Sequence, residues 1–82
     1  MRVEDLIPID SQESFYGKAK VIITDDFIQL QSYNTIVAQI DKHSNKLTVN
    51  GWYSATTARH INSFLAHYGY SPLSKSEMIK FN

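Results

Sequence analysis

From Lys18 onward, apolar and polar positions alternate along the chain. Ala19, Val21 and Ile23 fall on one side of an extended backbone, and Lys18, Lys20, Ile22 and Thr24 on the other. That period of two is the mark of a half-buried strand. Asp25-Asp26 interrupts it as a tight turn does. Phe27-Ile28-Gln29-Leu30-Gln31 alternates again, with Ile28 and Leu30 inward, and Ser32-Tyr33-Asn34-Thr35 is a polar connection. Residues 36–40 predict a third strand with 36, 38 and 40 on the core side. After the turn Lys42-His43-Ser44-Asn45, Leu47-Thr48-Val49 predicts a short fourth. Loops this short join antiparallel neighbours. The pattern is a four-stranded antiparallel meander.

At Asn50-Gly51 the period changes from two to that of a helix. Ala58, Ile61, Leu65 and Tyr68 recur at spacings of three and four, with Phe64 widening the stripe. Ser54 suits the N-cap, where its hydroxyl can accept from a first-turn amide. Gly69 suits the end, because it enters the left-handed region without a Cβ clash. Tyr70-Ser71-Pro72 reads as extended, and Ser74-Lys75-Ser76-Glu77 matches a capping box that opens a short helix over 75–80. The expected fold is therefore α+β: a four-stranded β-meander packed against one main C-terminal helix, 55–68, plus a short terminal helix. Residues 1–14 lack periodicity and read as an N-terminal arm whose patch Leu6-Ile7-Pro8-Ile9 docks on a single domain, 15–82.

Composition adds limits. With 82 residues, 43% of them apolar, the chain supports one two-layer core. It has no cysteine, which removes disulfides, thiolate nucleophiles and cysteine-ligated zinc. No apolar run approaches the roughly 18 residues of a membrane span, and the N-terminus lacks the apolar core of a signal peptide. The expected location is cytoplasmic, with no membrane partner. The zero net charge conceals a split: residues 1–41 carry three basic and seven acidic residues, residues 42–82 five basic and one acidic. Charges of neighbouring elements would have to interleave in the fold to cancel that split.

Catalytic and metal chemistry find little support. His60 and His67 are two helical turns apart, about 10 Å along the axis, too far for one metal ion with bonds near 2 Å. They read instead as solvent-facing residues beside the apolar stripe. Ser54, Thr56 or Thr57 could be paired with His60 on paper, but no elbow motif or orienting acid accompanies them. Asp25 and Asp26 are adjacent turn residues, and no glycine sits in a phosphate-cradling pattern. We therefore expect no enzyme, no metal and no cofactor.

Aromatic residues are in excess: Tyr16, Tyr33, Trp52, Tyr53, Tyr68 and Tyr70 outnumber what so small a core can bury. Tyrosine and tryptophan give rigid contact area with a polar tip, which interfaces favour. At Ser32-Tyr33-Asn34-Thr35-Ile36-Val37-Ala38 and at residues 53–65, Tyr53-Ser54-Ala55-Thr56-Thr57-Ala58-Arg59-His60-Ile61-Asn62-Ser63-Phe64-Leu65, the chain resembles a group of small tailed-bacteriophage proteins. That group carries S-Y-x-T-x-V-A, then Y-S-x-T-T-x-[RK]-H-I-x-x-F-L, then a Gly-aromatic pair, matched here by Gly69-Tyr70. The resemblance covers residues 18–75 and implies a phage origin, with the host bacterial cytoplasm as location and no mechanism. Tyr33, Asn34, Trp52, Tyr53, Thr56, Arg59 and His60 form the expected surface patch. The expected function is a non-catalytic accessory protein that binds a host protein, a defence or regulatory component. The alternative is a nucleic-acid-binding regulator using the basic C-terminal helices, through Arg59, Lys75 and Lys80. Pairing of a meander edge with its twin would make a homo-oligomer.

Overall fold

The computed structural model describes residues 1–8, 15 and 17–81. Five strands, β1 (Arg2–Asp5), β2 (Ala19–Ile23), β3 (Phe27–Ser32), β4 (Thr35–Asp41) and β5 (Leu47–Val49), precede α1 (Ala55–His67) and α2 (Lys75–Ile79). The strands form one antiparallel sheet in the order β1-β2-β3-β4-β5. The meander thus has five strands where apolar alternation predicts four. β1 offers the alternation one apolar residue, Val3, and leaves all four side chains exposed. Its backbone ladder with β2 holds it, and hydrophobic patterning does not report such a strand. Next to β1, Leu6 enters the core as expected, Ile7 stays exposed, and Ile9 lies outside the described residues.

One face of the sheet carries the core. Val21 opposes Leu30, Leu30 opposes Ala38 and Ala38 opposes Val49, giving an apolar row across four strands. Ile61, Phe64 and Leu65 of α1 and Met78 of α2 complete it. The alternation holds in β2 and β3 but not in β4. Leu30 pairs with Ala38 while Gln31 pairs with Ile36, so a bulge leaves Val37 without an opposite residue. Val37 is consequently buried and Ile36, expected inward, lies across from Gln31 on the open face. A bulge shifts the side-chain phase by one.

Both helices begin as their caps predict. Thr57 N–H donates to Ser54 Oγ at 3.1 Å, and Ser74 and Glu77 exchange both bonds of the capping box. α1 ends at His67, with Tyr68 as its C-cap and the left-handed Gly69 at φ 82° next. The charge split of the two halves is blurred by the turns. His43 Nε2 lies 2.8 Å from Asp26 Oδ1, and Lys42 Nζ donates to the Thr24 carbonyl at 3.1 Å. There His43 of the second half sits against an acid of the first, and Lys42 against a backbone carbonyl.

Candidate functional site

β3 points Ile28, Leu30 and Ser32 toward the helix, so its last inward position is polar. α1 faces the sheet with Thr57, His60, Ile61 and Phe64, the spacing of one helical face. Thr57 and His60 therefore come down on Ser32. Ser32 Oγ lies 2.8 Å from His60 Nδ1 and 3.0 Å from Thr57 Oγ1. His60 is 1% exposed and Ser32 3%. The Phe15 ring meets the imidazole edge-on with centroids 4.5 Å apart. Burial first, then the charges of Arg59 and Lys18, hold His60 below the ordinary imidazole value of 6.5. A neutral ring with Nδ1 accepting from Ser32, and Ser32 accepting from Thr57, satisfies all three groups. His60 is thus an internal latch between helix and sheet, against the solvent-facing position expected of it. Its helical spacing from Ile61 and Phe64 puts it on the sheet side, and a buried hydroxyl waits there.

Directly above the latch is Tyr33, at the tip of the β3–β4 hairpin. Its ring centroid is 5.9 Å from that of His60 and its side is 49% exposed. Its φ is 56°, in the left-handed region, which costs an L-residue with a Cβ about 1–2 kcal/mol. Two bonds fix it there: Tyr33 N–H donates to the Lys18 carbonyl at 2.7 Å, and Gln31 Nε2 donates to the Tyr33 carbonyl at 2.9 Å. Asn34 beside it is exposed.

The remaining patch residues wrap the start of α1. Asn62 bonds Leu73 ahead of α2 through both its amide atoms. It lies about 200° around the helix from His60, given 3.6 residues per turn. Tyr33 and the α2 side are therefore opposite flanks. Trp52 belongs to the α2 flank: it is half-buried, with Lys75 Nζ 4.3 Å from its ring centroid. Thr56 and Arg59 are exposed on the outward arc between the flanks, and Tyr53 is exposed ahead of the helix. Other aromatic residues have structural work. Tyr68 packs on Phe64 at 5.1 Å, and Tyr70 Oη donates to the Asn45 carbonyl at 3.2 Å. Tyr16 lies outside the described residues.

A family model matches residues 1–80. The chain belongs to DUF8033, a family of unknown function. No curated protein and no solved structure matches it. The DUF8033 match takes in the edge strand β1 as well as both helices.

Surface hollows among the described residues include two at the edges of the DUF8033 sheet. One, of about 250 Å³, lies between β1 and the end of α1, lined by Glu4, Leu6, His67 and Tyr68 among others. The other, of about 470 Å³, is lined by Lys46, Leu47 and Thr48 at β5 and by Lys80 and Phe81. His67 is exposed and its Nε2 lies 2.7 Å from the Ile7 carbonyl. Among the described residues no cluster of His, Cys, Asp or Glu could hold a metal ion, and no helix is long and apolar enough to cross a membrane. Sequence reasoning missed Ser32. The signal was present, because a polar residue that continues the inward phase of Ile28 and Leu30 must find a partner in the facing layer.

Proposed function

We propose that this DUF8033 chain is a non-catalytic phage accessory protein that binds a protein of the infected bacterium, a defence or regulatory component. Its contact surface is the ridge around the start of α1, with Tyr33 and Asn34 on one flank, Trp52 on the other, Tyr53 ahead of the helix, and Thr56 and Arg59 between. The observation that carries this reading is Tyr33. A half-exposed aromatic ring is held in a left-handed conformation that glycine or asparagine would adopt with less strain. Strain of this kind gathers at functional positions, and tyrosine is a preferred interface anchor. The phage and host parts of the reading rest on the resemblance at residues 32–38 and 53–65. The Ser32–His60 pair is buried, which suits a latch better than a nucleophile that a substrate must reach.

Affinity capture from bacterial host lysate tests the proposal, with the wild type beside Tyr33→Gly and Arg59→Ala. The expected result is a host protein retained by the wild type and lost with both variants, while their thermal midpoints stay near that of the wild type. A wild type that enriches nothing over Tyr33→Gly would sink it.

A second reading, a nucleic-acid-binding regulator, draws on the β5 hollow, which Lys46, Lys80 and Phe81 line together. An aromatic residue among cations can stack a base and meet its phosphate. A mobility shift that weakens steeply with salt and with Lys80→Ala would favour this reading over a protein partner.

A further inference from the structure

β1 is an outer strand whose backbone is half used. The Leu6 amide donates to the Ala19 carbonyl at 2.9 Å, and the same register pairs Glu4 with Val21 and Arg2 with Ile23. Hydrogen-bonded pairs alternate along an antiparallel ladder. The amides and carbonyls of Arg2, Glu4 and Leu6 therefore face β2, while those of Val3 and Asp5 point away from the sheet. Side chains alternate across the other axis. Arg2 and Glu4 share the helix-covered face, joined by an ion pair at 3.3 Å. Val3, opposite Ile22, lies on the open face and is 51% exposed.

We propose that a second copy of this chain pairs with β1, antiparallel, about a two-fold axis through Val3. Opposed residues in such a pair must share a face, and their outward backbone groups must meet. Centring on Val3 satisfies both conditions. Val3 meets Val3 of the second copy with two backbone hydrogen bonds. Arg2 stands opposite Glu4 of the second copy, and Glu4 opposite its Arg2, so each side chain finds the opposite charge. The open faces then join in one apolar row, Ile22, Val3, Val3 and Ile22, at the centre of a ten-stranded sheet. The contact is self-complementary and closes as a dimer. The other edge is less suited. β5 has three residues, and Lys46 and Lys80 flank it; lysine is a common guard against edge pairing. A net charge of zero leaves no overall repulsion between copies.

Light scattering on the full chain, over a concentration series and with any tag at the C-terminus, tests the dimer. The mass is expected to rise from 9.4 kDa toward twice that value as concentration increases. Val3→Pro removes the central outward donor and leaves the β1–β2 ladder intact, since edge strands tolerate proline there. It should stay monomeric, with the wild-type thermal midpoint at the lowest concentration. Arg2→Glu places like charges opposite each other twice and should weaken association by about tenfold or more. Adding Glu4→Arg to it should restore association, which keeps the test sound if Val3→Pro disturbs folding. A wild type that is monomeric throughout overturns the proposal. So does a dimer indifferent to Val3→Pro and to the charge reversals.

Discussion

A histidine sealed between a helix and a sheet is stable there while it is neutral. His60 meets that condition at neutral pH, with Ser32 against its Nδ1 and Phe15 against its edge. On protonation Nδ1 would donate to Ser32, whose hydroxyl can turn to Thr57, so the hydrogen bonds survive. The penalty is the burial of an imidazolium beside Arg59 and Lys18. The unfolded chain takes up this proton at the ordinary value of 6.5 and the folded one only at lower pH. Protonation therefore favours unfolding. The stabilisation is complete above about pH 6.5 and declines as pH falls from there through the folded value, then levels off. The thermal midpoint should drop over that window, and His60→Gln, which can still bond Ser32, should flatten the drop. A profile equally steep in His60→Gln would refute the role assigned to His60. At this scale the chain was half legible. His60 was visible as a member of the expected patch, yet its burial depended on Ser32, 28 positions away.

α2 shows how one side chain can hold an element. Its five residues are too few to be helical alone. Three things fix it: the Ser74–Glu77 box, the buried Met78, and Asn62, whose Nδ2 donates to the Leu73 carbonyl at 3.1 Å and whose Oδ1 accepts from the Leu73 amide at 2.8 Å. Asn62 thereby offers Leu73 the pair of bonds a neighbouring strand would supply. Asn62→Ala leaves both Leu73 groups unpaired and should cost about 1–3 kcal/mol. Amide exchange at Met78 and Lys80 should quicken more than in α1; equal acceleration in both helices would contradict the clasp. The caps were readable because they are local: Ser54 and Ser74 bond residues three positions on. Asn62 was not, since its partner is 11 positions distant and contributes only backbone. β1 was missed for lack of apolar alternation, and the β4 bulge because Ile36-Val37-Ala38 is apolar throughout and carries no phase to read.

Across the whole molecule, stability should be graded outward from β3. Ile22 and Gln29 form a hydrogen-bonded pair by the register that joins the Thr24 amide to the Phe27 carbonyl. Ile28 and Ile40 do the same by the register that joins the Lys42 amide to the Asp26 carbonyl. These four amides lie between paired strands, under or beside the helix-covered core, and can exchange only when the sheet opens. Glu4 also bonds β2, but β1 buries no side chain, so a local opening of that edge is enough to release it. Val3 and Asp5 have outward amides that β2 does not protect. Native-state exchange at low concentration should therefore rank Ile22, Gln29, Ile28 and Ile40 slowest, Glu4 intermediate, and Val3 and Asp5 fastest. Uniform protection from β1 to β4 would mean that the edge unfolds only with the core, against this ranking. Raising the concentration adds a second readout. Pairing of two β1 strands covers the Val3 amide with a carbonyl of the second copy, so Val3 should slow while Ile28 and Ile40 hardly change.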